Sequence, residues 1–259
     1  MNAPAAPTER RGNANATLAV AALAALATYL DTTILFVAFP DITATFGDSS
    51  TSTLSWVLNA YTIAFAALLV PAGKLADRLG HRRIFLTGSV TFTVASLACG
   101  LAPSVGVLIA ARIVQGAGAA TLIPASLALV MAAFPREKLP LVVAIWGGIG
   151  AFSAALGPSL GALIVDGLGW RWAFYINLPI GIVTVAAGVR LLAEHREPAV
   201  RLPAPTGVAL IAAAYPSAHR PVWKRYFPVS VKNNAAVQYK LLSRRQRATQ
   251  VLYPERRQE

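Results

Sequence analysis

Residues 73–83 read GKLADRLGHRR and form the most charged stretch in the first half of an apolar chain. They separate two long apolar runs, Leu54–Ala72 and Ile84–Ala102. Runs of this length indicate helices that cross a membrane, because about 20 residues span the hydrocarbon core. Lys and Arg are enriched in short cytoplasmic loops of membrane proteins, so the stretch is predicted to be a cytoplasmic loop. Its bases are Lys74, Arg78, Arg82 and Arg83.

Two glycines and one acid distinguish this predicted loop from a plain run of charge. Gly73 and Gly80 permit a tight turn where two helices approach each other. Asp77 is expected to pair locally or to bond a helix N-terminus. The order Gly-x-Leu-Ala-Asp-Arg-x-Gly-x-Arg-Arg resembles the loop between spans two and three of the major facilitator superfamily of secondary transporters. A loop that only obeys the positive-inside rule is the alternative.

The composition also indicates a membrane protein. Of 259 residues, 56% are hydrophobic and 13% are charged, with a mean hydropathy of +0.56, whereas soluble domains carry about 25% charged residues. Cys99 is the one cysteine, so no disulfide framework or CxxC metal site is expected. The three histidines lie in loops or in the tail, without the spacing of metal ligands. We therefore expect no enzyme, no metal and no cofactor.

Six apolar runs predict an all-α membrane protein, a six-helix transmembrane bundle within residues 16–193. The runs are Thr17–Phe39, Leu54–Ala72, Ile84–Ala102, Val105–Phe134, Leu141–Val165 and the segment from Trp170 to Ala193. Bases concentrate in alternating loops, and Arg171 is the single base expected outside. This asymmetry predicts a multi-pass protein of the cell membrane with both termini in the cytoplasm. A cleaved signal peptide is the weaker alternative for the first run, which continues to Pro40.

Asp31 lies inside the first apolar run. An ionisable residue within a span is costly and is a candidate functional residue by default. The alternative is a packing acid that bonds a neighbouring Thr. The segment Leu30–Ile34, followed by Val37–Pro40, resembles the first-helix motif of the drug:proton antiporter branch with fourteen spans. That resemblance implies that Asp31 takes up and releases the coupling proton.

A second charge lies inside the fourth run, where Gln115 follows Arg112 on the same face one turn later. A buried Arg stays charged, so it must pair or be solvated. The alternative is a side chain that extends to the membrane interface. Gly116 and Ala120 have the small-xxx-small spacing that permits close helix contacts. Together with Gly118, the segment resembles the Arg-x-x-Gln-Gly-x-Gly motif of proton-coupled facilitators. That resemblance implies that Arg112 and Gln115 line a proton-coupling and substrate cavity together with Asp31.

The second half of the fifth run reads Gly157-Pro158-Ser159-Leu160-Gly161 and resembles the antiporter motif of the fifth helix. Proline bends a spanning helix, and Gly157 and Gly161 permit tight helix packing. A packing kink without a role in coupling is the alternative. The string from Trp170 to Gly181 resembles the start of helix six in the same branch, and its aromatic side chains fit an interfacial belt.

The chain changes character beyond the sixth run, and the resemblance covers Leu18–Gly207. Residues 1–15 are predicted to be a cytoplasmic arm, residues 194–214 a linker and aborted seventh span, and residues 215–259 a basic, disordered tail. The tail carries ten Lys or Arg and two Glu, in a chain whose net charge is +12. A truncation or a shifted reading frame near Ala214 is the first interpretation, and contact with anionic lipid is the second. Nucleic acid is not expected as a partner.

The resemblance implies the N-terminal half of a proton-coupled multidrug or antibiotic efflux transporter, driven by a proton gradient without a cofactor. Its partners would be the lipid bilayer and a lipophilic small-molecule substrate, and the loop around Asp77 and Arg83 would latch the cytoplasmic side. The alternative function is a non-transporting membrane remnant, or a partner that modulates a full-length transporter. The chain is expected to insert but not to export alone, since two bundles surround one site in this family. A homodimer would be the alternative source of the second bundle.

Overall fold

The computed structural model describes residues 14–193, and nearly all of them are helical. The elements are α1 (Ala14–Thr45), α2 (Thr51–Leu79), α3 (His81–Gly100), α4 (Val105–Ala133), a 3-10 turn (Arg136–Lys138), α5 (Leu139–Leu168), α6 (Trp172–Tyr175) and α7 (Asn177–Leu191). The predicted arm up to residue 13, the linker and aborted seventh span at 194–214, and the tail at 215–259 lie outside the described residues.

Six helices in this part of the chain are long and apolar enough to cross a membrane, which confirms the predicted six-helix bundle. The sixth span consists of α6 and α7 together, with a break at Ile176. α1 has 32 residues, which at 1.5 Å per residue gives about 48 Å, against ~30 Å for a hydrocarbon core. This helix is therefore longer than an untilted span requires.

The charged stretch at 73–83 consists of two helix ends rather than the predicted loop. α2 continues through Asp77 to Leu79, and α3 begins at His81. Gly80 alone separates them, with φ 105° and ψ 130°, and a residue with a Cβ is strained in that conformation. One glycine suffices to join the two helices, so both keep their backbone hydrogen bonds and Gly73 remains inside α2.

The helix α1 also extends further than predicted, through Pro40 to Thr45. The predicted span ended at Phe39, and the helix continues although Pro40 removes one backbone hydrogen bond. Here Ile42 is fully enclosed by the bundle, and that apolar burial favours a further turn of helix. The hydroxyls of Thr43 and Thr45 also donate to carbonyl oxygens of the last turns, at 2.6 and 2.8 Å.

The helices pack in a way that places α1 and α4 in the middle of the bundle. α4 packs along α2 and α3, α5 packs along α1, and α7 lies against α1 and α3. α1 and α4 also contact each other. Apolar side chains form two core clusters that both include residues of α1 and α4. One contains Leu30, Ile34, Leu35 and Leu108, and the other contains Phe85, Leu122 and Leu129.

α5 meets α1 along a face of small residues. Gly157 lies against Thr33, and a Cβ added to this glycine would overlap the Thr33 side chain. A Cβ on Gly161 would lie 3.3 Å from Val37, while Pro158 is exposed. Because small residues let membrane helices approach closely, these two glycines hold α5 against α1 within the same bundle.

We expect Gly157→Ala to lower the free energy of unfolding of the solubilised chain by roughly 1–3 kcal/mol, because overpacking a close contact forces its neighbours apart. Gly148→Ala on the same helix is the matched control, since nothing lies within 4 Å of the added methyl group. Thermal unfolding in detergent, followed by circular dichroism, measures both variants. Equal stability of the two variants would contradict the α1–α5 contact.

Candidate functional site

A buried polar cluster lies where α1, α3, α4 and α7 meet. It comprises Asp31, Ser96, Arg112, Gln115 and Asn177, each with an exposure of 2% or less. Every member is hydrogen-bonded to another member. Buried polar groups have given up their bonds to water and must find partners in the protein, so the buried polar cluster ties these helices to one another.

Asp31 of α1 accepts hydrogen bonds from three side chains. Nη1 of Arg112 donates to Oδ2 at 2.7 Å, while Nε2 of Gln115 and Nδ2 of Asn177 each donate to Oδ1 at 2.8 Å. Three donors suit a charged carboxylate, which only accepts. The neighbouring threonines bond carbonyl oxygens of their own helix, so Asp31 is not the Thr-bonded packing acid considered above.

Arg112 of α4 is enclosed, with 1% of its side chain exposed, and it does not extend to the membrane interface. Its Nε donates to the carbonyl oxygen of Val57 in α2 at 3.2 Å, and its Nη1 donates to Oε1 of Gln115 at 2.6 Å. The ring centres of Tyr61 and Phe174 lie 4.2 and 5.9 Å from the guanidinium carbon. The aromatic faces attract the cation and replace part of its lost hydration.

Gln115 links the ion pair to α3. Its Nε2 donates to Oγ of Ser96 at 2.7 Å, and its Oε1 accepts from Sγ of Cys99 at 3.6 Å. Ser96 in turn donates to the carbonyl oxygen of Phe92 at 2.8 Å. Both ends of this amide are therefore engaged, and the three-residue spacing from Arg112 puts the two side chains on one face of α4.

Asn177 is the member of the cluster that the sequence patterns did not reveal. It is the first residue of α7 and is fully buried, and it lies 146 positions from Asp31 in the chain. The sequence feature that could have revealed Asn177 is a single amide side chain in an apolar run, because a polar side chain within a span needs a hydrogen-bond partner. Its Oδ1 is buried and has no hydrogen-bond partner among residues 14–193.

Gly116 and Gly118 bring α4 close to its two neighbours. A Cβ on Gly116 would lie 2.6 Å from the carbonyl oxygen of Tyr61 in α2, and one on Gly118 would lie 2.7 Å from the backbone nitrogen of Phe92 in α3. Only glycine fits at such distances, which are well below van der Waals contact. The close approach brings the polar side chains of α4 within hydrogen-bonding reach of α2 and α3.

The residues predicted to latch the cytoplasmic side lie at the α2–α3 junction, at one end of the bundle. Oδ1 of Asp77 lies 3.7 Å from Nε2 of His81, across Gly80. Nη2 of Arg82 donates to the carbonyl oxygen of Val189 in α7 at 2.6 Å, so the junction is bonded to the sixth span. The other predicted bases here are Arg78, which is exposed, and Arg83.

A proton on Asp31 would change the charge balance of the buried polar cluster. The carboxylate and the guanidinium offset each other in an interior where unpaired charge is costly. After protonation, Arg112 would keep the Tyr61 ring, the Val57 carbonyl oxygen and the Gln115 amide oxygen. Asp31 would keep no comparable set of partners on α4 besides Gln115, so the link between α1 and α4 depends on the charge of this carboxylate.

A protein-family model matches most of the chain. Residues 21–247 match the family model for the Major Facilitator Superfamily. The match extends at its C-terminal end past Gly207, where the residue-by-residue resemblance ends. It includes every described residue of the buried polar cluster and of the α2–α3 junction.

Three relatives are resistance or export proteins by name. The chain is 41% identical over 185 residues to the methylenomycin A resistance protein of Streptomyces coelicolor, which covers 71% of the chain and 39% of that protein. It is 37% identical over 207 residues to the tetracenomycin C resistance and export protein of Streptomyces glaucescens, covering 79% and 38%. Multidrug resistance protein Stp of Mycobacterium tuberculosis is 44% identical over 170 residues, covering 65% and 32%. The chain therefore spans well under half the length of the curated relatives it matches.

We expect Asp31→Asn to lower the free energy of unfolding by about 3–5 kcal/mol, because removing one partner leaves the buried Arg112 charge uncompensated. Arg112→Gln removes that charge. The double variant should therefore lose less free energy of unfolding than Asp31→Asn and Arg112→Gln lose together as single variants. The control is Asp41→Asn, at an exposed acid on the same helix, with a change within about 0.5 kcal/mol. Denaturant titration in detergent measures all four variants, and additive losses would contradict the ion pair.

Proposed function

This chain belongs to the Major Facilitator Superfamily, and on that premise we propose that it is the N-terminal six-span bundle of a drug:proton antiporter. The observation that carries the proposal is the fully buried ion pair between Asp31 and Arg112. Ionisable groups inside a membrane bundle mark ion and proton pathways. Relatives named for antibiotic resistance, export or multidrug resistance, at 37–44% identity, support efflux of a lipophilic antibiotic or drug.

In the proposed cycle, the charge on Asp31 controls the contact between α1 and α4. Binding of a proton neutralises the carboxylate and weakens its bond to Arg112, which stays held by Val57 and Tyr61. Release of the proton on the other side of the membrane restores the ion pair. The proton gradient supplies the driving force for export of the substrate, so no cofactor takes part.

The proposal includes a second bundle, because two repeats surround the substrate site in this superfamily. α5 offers an apolar surface for it on the side opposite Gly157. Leu141, Phe152 and Leu163 are exposed there at 63, 62 and 74%. Two copies of this chain would bring two acids and two cations around one cavity, where like charges disfavour ionisation. We therefore propose a different six-span bundle as the partner.

The proposed orientation follows from the distribution of bases. The α2–α3 junction carries Lys74, Arg78, Arg82 and Arg83, and the turn before α5 carries Arg136 and Lys138. The turn before α6 carries Arg171 alone. The positive-inside rule then assigns the α2–α3 junction and both termini to the cytoplasm.

We expect Asp31→Asn to abolish proton-driven efflux, because an amide cannot bind and release the coupling proton. The assay uses a drug-sensitive bacterial host lacking its own efflux pumps. The host expresses the chain alone, or together with the C-terminal bundle of a related full-length transporter. Efflux driven by an imposed pH gradient is then measured in membrane vesicles with matched levels of inserted protein. Asp41→Asn, at the exposed acid of the same helix, should keep the wild-type rate.

Each outcome of this assay bears on the proposal. Wild-type efflux in Asp31→Asn would refute the proton role, while loss in Asp41→Asn as well would point to a general fault in α1. Gradient-dependent export by the chain alone would overturn the need for a different second bundle and indicate a homodimer. No export in either pairing would count against the drug:proton antiporter.

Single cysteines should report the orientation. We expect Asp48→Cys, in the exposed turn between α1 and α2, to react with an impermeant reagent added outside intact cells, and Leu79→Cys to be protected. A Cys99→Ala background removes the one native thiol. A membrane-permeant reagent, as the control, should label both. External labelling of Leu79→Cys with protection of Asp48→Cys would reverse the topology.

A further inference from the structure

Asn177 uses only one end of its side-chain amide. Its Nδ2 donates to Oδ1 of Asp31 at 2.8 Å, whereas its Oδ1 is buried without a hydrogen-bond partner in the described part of the chain. A buried acceptor that is left unpaired is unusual in a folded protein. This one belongs to a side chain already bonded to the acid that takes the proton in the proposed function.

The three donors around Asp31 suit the charged carboxylate and not the neutral acid. When a proton binds, the carboxylate becomes a carboxylic acid, whose O–H is a donor and needs an acceptor. Oε1 of Gln115 already accepts from Arg112 and Cys99. Oγ of Ser96 already accepts from Gln115 and donates to Phe92. Oδ1 of Asn177 is thus the acceptor in the buried polar cluster that is still free to be used.

A half-turn of the carboxamide exchanges the two ends of Asn177. Its terminal torsion has a broad, two-fold preference, so the turn needs no change of backbone. It brings Oδ1 to the place of Nδ2, facing Asp31, and moves Nδ2 to the unpaired position. One amide end is left unpaired in either orientation, so the neutral acid gains its acceptor without adding an unsatisfied group.

We propose that Asn177 is a positioning residue that serves both protonation states of Asp31, as a donor to the carboxylate and as an acceptor for the carboxylic acid. This inference rests on the proposed role of Asp31 as the proton site and adds the residue that accommodates the bound proton. Because Asn177 begins α7 directly after the break at Ile176, it also links the proton on α1 to the sixth span.

The other ionisable groups around Asp31 do not provide this acceptor. Arg112 of α4 is a donor only. The Tyr61 hydroxyl of α2 is also buried without a hydrogen-bond partner in the described residues. It makes no hydrogen bond to Asp31, however, while the Asn177 amide already does. Cys99 of α3 is turned toward Gln115. α5, α6 and α7 add no ionisable side chain to the contacts of Asp31 among the described residues.

The test is infrared difference spectroscopy of the whole chain in lipid nanodiscs, titrated with pH. The C=O stretch of a protonated Asp is assigned to Asp31 by its loss in Asp31→Asn, and its frequency falls when the acid O–H donates a hydrogen bond. We expect a hydrogen-bonded band in the wild type and a shift to higher frequency in Asn177→Leu. Asn177→Ala provides a second apolar variant should the leucine disturb folding, which helical content by circular dichroism monitors. Asn177→Thr should restore the lower frequency, because a hydroxyl both donates and accepts.

The outcomes separate this inference from the proposed function. An Asp31 band at one frequency in the wild type, Asn177→Leu and Asn177→Ala would overturn the role of Asn177 and leave Asp31 as the proton site. A shift that Asn177→Thr fails to reverse would assign the effect to packing and would also overturn it. Absence of any Asp31 band over the whole titration would overturn the proposed proton site and this inference together.

Discussion

The ion pair between Asp31 and Arg112 is the interaction on which the arrangement of this bundle depends. It joins α1 to α4 at 2.7 Å with both side chains enclosed, and a lone charge would be expensive at either position. Because an unpaired charge is so costly there, the neighbouring helices must lie close enough to pair with both side chains. Gly116 and Gly118 let α4 approach α2 and α3 closely enough for its polar side chains to find partners, and the remaining core is apolar.

The two members of this pair are held very differently. Arg112 also has a carbonyl oxygen, an amide oxygen and an aromatic ring at hand, and these partners keep their character at any pH near neutrality. Asp31 has only donors. The contacts of Arg112 therefore do not depend on Asp31 alone, whereas all the side-chain contacts of Asp31 suit its charged form. In the proposed proton cycle, Arg112 would therefore stay in place while the contacts of Asp31 change.

The sequence predicted the parts of this structure that depend on local composition. Apolar length predicted the six spans, and the cost of charge in lipid singled out Asp31 and Arg112 before any contact was known. It could not predict the partner of Asp31 on α7, because nothing in the order of residues tells which face of a distant helix meets an acid 146 positions away. Helix ends were also misplaced. The first span was predicted to end at Phe39 and residues 73–83 to form a loop, whereas burial of Ile42 favours continuation of α1 through Pro40, and a single glycine joins α2 to α3.

That one-residue connection has a mechanical consequence. A flexible loop would let α2 and α3 tilt independently, but Gly80 contributes only two soft torsions between helices of 29 and 20 residues. The backbone N–H of Gly80 is itself bonded to the carbonyl oxygen of Ala76 at 2.9 Å, which removes part of even that freedom. At this end of the bundle, a change in the angle between α2 and α3 is therefore confined to a single residue and the adjoining helix ends.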